Sequence, residues 1–313
     1  MIFVDNETIA TRLTHKALIE ALEAMFKSAY TMPVRHHHFY ENKEGQENTL
    51  ILMPCWNSEY IGIKQVVVAP DNHTKHLPAI HAIYTLLDAV TGRPLAQMDA
   101  TELTARRTAC ASALAASYLV RKDVKTLLIV GGGKVAEHLL DAHRCVRNYE
   151  RVWVWMRNKE KGKQFVEEQK KKGVPIMLVA DLEEAVRNAD VISTATLSQV
   201  PLIKGEWVQA GTHLDLIGAH TPKSREVDDD AIRKSSIFVD SRAGALHETG
   251  EMAIPIAQGV LDPQAVKADI VELCKGEHLG RGSESEITLF KSAGLAIEDF
   301  AAALLVYRSL PIE

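Results

Sequence analysis

The sequence has little of what would place it in a membrane, outside a cell or on a nucleic acid. No run of about 18 apolar residues occurs in its 313 residues, so no membrane-spanning helix is expected. The opening MIFVDNETIATRL gains charge at once and has no apolar stretch leading to small residues, so no signal peptide is expected. Cysteine is scarce and scattered. Cys55, Cys110, Cys145 and Cys274 lack the close pairing of a zinc knuckle or a disulfide framework, which suits a reducing cytoplasm. Net charge is only −5, which points to neither nucleic acid nor an anionic membrane as partner and leaves room for a small anion in a local pocket. Internal repeats and low-complexity linkers are also missing.

What is present is an ordinary globular composition on a chain too long for one typical core, so two domains are expected. Residues 6–30 have helical apolar spacing, with Ile9, Leu13, Leu18, Leu22, Met25 and Phe26. From VRHHHFYE to PLAQMD the pattern becomes short alternating or apolar runs, a mostly antiparallel sheet. MDATELTARRTACASALAASYLV reads as a long Ala-rich helix with Asp99 or Thr101 as N-cap. Strands and helices then alternate from TLLIVG to SIFVDS, the pattern of parallel βαβ units in a doubly wound sheet. The closing ITLFKSAGLAIEDFAAALLVY reads as helical. The expected fold class is α/β: a Rossmann domain, residues 121–284, inserted in an α+β domain made of residues 1–120 and 285–313.

The stretch VGGGKVA fits the dinucleotide-binding pattern G-x-G-x-x-A. Gly131 permits the tight turn, Gly133 lets the backbone approach a pyrophosphate, and Ala136 lets the helix pack on its strand. Lys134 and Val135 follow in the same turn. The motif is weak alone and strong between an apolar strand and an amphipathic helix. An acid about 20 residues further on would bond the ribose, and counting lands on Glu150. Topology disagrees, because Glu150 precedes the strand RVWVWM and belongs at its bottom end. The top end reads MRNKEKGK, with Arg157, Asn158 and Lys159 in place of an acid. Arginine suits a 2′-phosphate, so NADP(H) is preferred and NAD(H) remains possible; the competing reading is a solvated basic loop. STAT, Ser193 to Thr196, ends a parallel strand, so Thr194, Ala195 and Thr196 are placed at the nicotinamide side, with plain strand-end capping as the alternative.

Cations in apolar company are the other signal. Helix phase puts Arg107 in line with Leu103, Cys110 and Leu114, while Arg106 pairs with Glu102 on the wet face. Lys64 shares a strand face with Val66 and Val68. Singly, each is more often a snorkelling edge residue. With Arg35 they form a candidate carboxylate clamp that would orient an acidic small substrate. RHHHF is not read as a metal site, because consecutive strand residues alternate faces. The acids of VDDD are read as a helix N-terminus complementing the macrodipole.

RTACASALAA, IVGGGKVA, LIGAHTPKSREVD, VDSRAGALHETGEM and EITLFKSAGLAIEDFAAA resemble, in order, signature stretches of the ornithine cyclodeaminase/μ-crystallin family. The resemblance runs from about Arg35 to the C-terminus. It implies a substrate and dimerisation domain, a Rossmann domain with Gly218 of LIGA among its cofactor-binding residues, a returning C-terminal helix and a homodimer. The family's substrate-carboxylate contacts fall on Arg35, Lys64 and Arg107. Two positions depart from its cyclodeaminases: their catalytic aspartate after IGA is His220 here, and the glutamate of their IELMP-like stretch is Ile51. Without these acids the groups that hold a diamine's distal ammonium and drive ring closure are gone.

The resulting expectation is an NADPH-dependent oxidoreductase that delivers hydride to the C=N carbon of a cyclic imino acid such as pyrroline-2-carboxylate. His220 and Lys64 are the candidate proton donors, with an idle loop histidine as the other reading of His220. The alternatives are an ornithine cyclodeaminase using bound NAD, an alanine-type amino-acid dehydrogenase, and a binder of NADPH or a small ligand. An antiparallel sheet whose edges pair across a dimer would suit the homodimer.

Overall fold

The computed structural model describes residues 1–311, apart from the side chain of His73. Two compact units divide the chain. One holds Met1–Arg107 and the chain from Leu295 onward, the other Thr108–Gly294.

The first unit is built on a six-stranded sheet. Its segments are β1 (Ile2–Val4), α1 (Asn6–Arg12), α2 (His15–Lys27), β2 (His36–Glu41), β3 (Glu47–Trp56), β4 (Tyr60–Val68), β5 (Ile80–Asp88) and β6 (Pro94–Asp99). The order is β1-β6-β5-β4-β3-β2, antiparallel throughout except that β1 runs parallel to β6. The helical pattern expected over residues 6–30 is two helices, because Thr14 caps the second through its side chain on the Ala17 amide. Alternation along the strands buries Met53, Cys55, Lys64, Val66, Tyr84 and Leu86 on one face. The C-terminal helix Ala296–Ser309 packs on β3, β4 and α2. Gly62 permits its close approach, since a Cβ there would lie 2.8 Å from the Phe300 ring.

The long helix α3 (Ala100–Leu119) starts directly after β6, and the Asp99 side chain accepts from the Thr101 amide as a cap should. Beyond it come β7 (Thr126–Val130), α4 (Lys134–Val146), β8 (Arg151–Trp155), α5 (Lys159–Lys171), β9 (Ile176–Leu178), β10 (Val191–Thr194), β11 (His213–Leu216), β12 (Ser235–Val239), β13 (Ala268–Asp269) and β14 (Ile287–Lys291). These strands make one parallel sheet, ordered β13-β12-β14-β11-β10-β7-β8-β9. The chain winds outward from β7 to β9, then returns to lay β10 on the other side of β7. That reversal is a topological switch point, where such sheets bind ligands beyond the carboxyl ends of their strands. The central strands β7, β10 and β11 are buried on both faces, as parallel sheets require.

One expected helix is a strand. ITLFK forms β14, threaded between β11 and β12, and helix begins only at Ala296. Residues 287–291 therefore complete the parallel sheet instead of joining the first domain, where the sequence reading had put everything after 284. Thr288 to Lys291 are buried on both faces, and a central strand gives each backbone amide a partner that so short a helix would leave orphaned. Among the described residues, no helix is long and apolar enough to cross a membrane.

Candidate functional site

In the parallel sheet, the carboxyl ends of β7, β8, β10 and β11 converge. Gly131 leaves β7 with φ 129°, and a Cβ on it would lie 2.5 Å from the Ala195 carbonyl oxygen. That geometry admits only glycine. The Ala195 amide donates to Val130 at 2.9 Å, and the Gly131 amide donates to Trp155 at 3.1 Å, so the turn is pinned to both neighbouring strands. Gly133 is the N-cap of α4 with no side-chain hydrogen bond, and nothing lies within 4 Å of where its Cβ would be. A 13-residue helix thus presents uncapped amides and the positive end of its dipole to open space. This fits a dinucleotide pyrophosphate, which bonds backbone amides and needs no side chain there. Val135 is half-buried in the first turn, and Lys134 is exposed, 3.7 Å from the Glu137 carboxylate.

Beyond β8 the three basic-loop candidates part company. Asn158 caps α5, its side chain accepting from the Lys161 amide at 3.0 Å. Lys159 donates to the Ala180 carbonyl at 2.9 Å and lies over the Trp155 ring. Both side chains are engaged in holding local structure. Arg157 is exposed and makes no hydrogen bond or ion pair among the described residues. Glu150 pairs with Lys125 at 3.1 Å, just before β8 and β7 begin, which puts it at the opposite end of the sheet from the glycine turn.

At the ends of β10 and β11 the organising group is Glu226, which the sequence reading passed over. Its buried carboxylate accepts from the Thr194 hydroxyl at 2.7 Å and from the Thr196 amide, the Thr196 hydroxyl and the Gly218 amide, each at 2.8 Å. Thr194 is fully buried with its hydroxyl on Glu226, so it holds the strand end and has no surface to offer a ligand. Thr196 and Ala195 are half-buried beside it. Gly218 packs so closely on the Thr196 backbone that a Cβ would overlap it. His220 is exposed, with Nδ1 2.9 Å from the Gly218 carbonyl oxygen. A carbonyl only accepts, so Nδ1 carries the hydrogen and Nε2 is the bare nitrogen of the neutral ring.

In the first unit, Lys64 and Arg107 come together as the helix and strand phases require. Asp299 joins them. Lys64 Nζ lies 2.7 Å from Asp299 Oδ2, Arg107 Nε lies 2.9 Å from Asp299 Oδ1, and Arg107 also reaches Glu298 Oε2 at 2.6 Å. All four side chains are buried. Burial, with Arg107 and Arg35 nearby, pushes Lys64 down to about 8, against the pull of Asp299. Burial acts the same way on Arg107, but its two carboxylates outweigh it and hold the guanidinium firmly charged. Arg35, half-buried just before β2, completes the cluster through its field on Lys64. Ile51 shares the face: it pairs with Val66 where Met53 pairs with Lys64, two residues along. The Arg106–Glu102 ion pair forms at 2.5 Å, yet not on a wet face. Glu102 is buried, and Arg106 also donates to the Leu13 carbonyl.

Glu298 and Asp299 were also missed. Their signal was two adjacent acids opening an otherwise apolar helix, a pattern that equally describes a solvated first turn.

Known proteins resemble this chain over nearly its whole length. Residues 2–311 match the sequence model of the Ornithine cyclodeaminase/mu-crystallin family. A Delta(1)-pyrroline-2-carboxylate reductase of Colwellia psychrerythraea is 35% identical over 99% of each chain. The structure of Thermococcus litoralis Delta(1)-pyrroline-2-carboxylate reductase in complex with NADH and L-proline superimposes with a TM-score of 0.91, at 36% identity over 98% of this chain and 97% of that one. An archaeal alanine dehydrogenase dimer with bound NAD gives 0.90, at 34% identity over 98% and 95%. The chain belongs to the ornithine cyclodeaminase/mu-crystallin family.

Proposed function

We propose that the protein is an NADPH-dependent reductase of cyclic imino acids, with pyrroline-2-carboxylate the leading substrate. The observation that carries this is the meeting of two buried cations, Lys64 and Arg107, on Asp299, with Arg35 near enough for its charge to act on Lys64. Cations gathered in one place suit a substrate carboxylate. Both internal acids already serve Arg107 and Lys64, and Ile51 adds an apolar wall where a diamine would need an anion for its second ammonium. The two pyrroline-2-carboxylate reductases, at 35% and 36% identity over nearly the whole chain, support the same substrate class.

In this reading Arg35, Lys64 and Arg107 hold the substrate carboxylate and fix the C=N bond in one orientation. The bound reduced nicotinamide supplies the hydride for the imine carbon. That carbon is electrophilic once its nitrogen is protonated, and Lys64 supplies a proton readily because burial has pushed it down to about 8. His220 is the second donor, through Nε2 once the ring is protonated. Gly131 and Gly133 cradle the pyrophosphate, while Thr196, Ala195 and Gly218 line the nicotinamide side. Arg157 meets a 2′-phosphate, which makes NADPH the preferred cofactor although the Thermococcus structure holds NADH. A homodimer is supported by the dimeric archaeal relative and by the sheet of the first unit, where Leu52, Pro54 and Ile63 are only half-buried and Ile83 is 37% exposed. Four free cysteines accord with a reducing cytoplasm.

The test is nicotinamide absorbance at 340 nm with NADPH or NADH and pyrroline-2-carboxylate, beside a tube of L-ornithine and NAD assayed for ammonia and proline. Imine-dependent NADPH oxidation is expected. Ammonia and proline from ornithine, without imine reduction, would overturn the reading.

A further inference from the structure

Glu226 takes no part in the reaction outlined above, yet its carboxylate is the meeting point of two strand ends. Oε1 accepts from the amide and the hydroxyl of Thr196, and Oε2 accepts from the Thr194 hydroxyl and the Gly218 amide. Four donors on one buried carboxylate saturate it. The loop that carries it is fixed as firmly. The Glu226 amide donates to Glu251 Oε2 at 2.8 Å, the Val227 amide donates to Glu251 Oε1 at 3.0 Å, and the Glu226 carbonyl accepts from the Leu202 and Ile203 amides. Burial and the charge of Glu226 push Glu251 up to about 7. Lys291, buried at the end of β14 with Nζ 2.9 Å from the Leu216 carbonyl oxygen, attracts both carboxylates.

The position of this cluster gives it a consequence. A dinucleotide whose pyrophosphate lies on α4 and whose adenosine ribose lies beyond β8 must extend its other half across the switch point, over the ends of β10 and β11. Those are the two ends that Glu226 ties together. We propose that Glu226 is a positioning residue that sets the nicotinamide half of the cofactor site by locking Thr196 against Gly218. The inference rests on the reading that this sheet end takes a nicotinamide dinucleotide. The adenosine half, held by Gly131, Gly133 and Arg157, makes no use of Glu226.

The chemistry of an amide shows why a carboxylate is needed. In Glu226→Gln one oxygen becomes an NH2 group, which in either orientation faces a backbone amide, that of Thr196 or that of Gly218. Two donors repel, so one strand end must move. The contact is already close, since a Cβ on Gly218 would overlap both the Thr196 backbone and the Glu226 carboxylate.

The experiment compares NADPH with 2′,5′-ADP, its nicotinamide-free half, by calorimetric titration of wild type, Glu226→Gln and Thr194→Val. Thr194→Val keeps the side-chain shape and removes one donor to Glu226. For Glu226→Gln a rise in Kd for NADPH of at least tenfold is expected, with Kd for 2′,5′-ADP within twofold of wild type. For Thr194→Val a smaller rise, confined to NADPH, is expected. A loss of stability alone would weaken both ligands together, so equal weakening overturns the inference, as does unchanged NADPH binding. If Glu226→Gln does not fold, the same two outcomes read from Thr194→Val decide it. Wild-type protein that binds neither ligand would sink the dinucleotide reading itself and this inference with it, whereas wild-type binding with unselective variants sinks the inference alone.

Discussion

Arg107 and Asp299 stand 192 residues apart in the chain, and their side chains meet at 2.9 Å in the interior of one unit. The guanidinium bridges Asp299 and Glu298, and Asp299 in turn holds Lys64. The groups assigned to substrate recognition are therefore also a structural network, and substitutions there report on both roles.

Arg107→Ala leaves Glu298 and Asp299 buried with too little positive charge. Breaking a buried pair in this way costs roughly 3–5 kcal/mol. A large fall in the midpoint of urea unfolding is expected along with lost turnover, whereas a stable, inactive Arg107→Ala would show that the network is dispensable to the fold.

Lys64, at about 8, is charged below that pH and neutral above it, whereas an ordinary lysine stays charged to about 10.5. In the proposed function the charged form holds the substrate carboxylate, so kcat/KM should fall as pH rises through about 8. Lys64→Arg cannot lose its proton in this range. A limb that persists near pH 8 in that variant belongs to another group.

Asp299→Asn removes the anion that raises the Lys64 value. The alkaline limb should then move to lower pH by about one unit or more, in line with the 1–3 units a close opposite charge is worth. A limb that stays in place, measured on protein shown to be folded, would separate Lys64 from Asp299.

The two motif glycines should respond differently. Gly131→Ala forces a side chain into a left-handed conformation and against the Ala195 carbonyl, so a lower melting temperature is expected. Gly133→Ala meets no neighbour and has ordinary φ, so the melting temperature should hold while cofactor affinity drops tenfold or more. Unchanged affinity in Gly133→Ala would move the pyrophosphate elsewhere.

Arg157→Ala should raise KM for NADPH at least tenfold and leave KM for NADH nearly unchanged. Equal effects on the two would remove the 2′-phosphate assignment and return the residue to a solvated loop.

The glycine turn, the alternation of strands and helices and the inward phase of Lys64 and Arg107 were legible because each depends on spacing within one short segment. The partners of those cations were not. Glu298 and Asp299 open a helix, where acids normally complement the dipole in water, and only tertiary packing reveals that this helix start is buried. Glu226 was hidden in the same way, beside Asp228, Asp229 and Asp230, of which Asp228 does cap a helix. Strand β14 was lost because it runs into that apolar helix with only a few residues between, and a five-residue run buried on both faces has no period of its own.

That strand also bears on how the protein is made. β11 and β12 are in place 48 or more residues before Ile287, yet β14 must lie between them. As the chain leaves the ribosome, the facing edges of β11 and β12 therefore wait unpaired until Ile287–Lys291 emerge. The slowest contacts of the sheet are long-range ones, closed late, and a chain cut short before Ile287 would expose those edges to other chains.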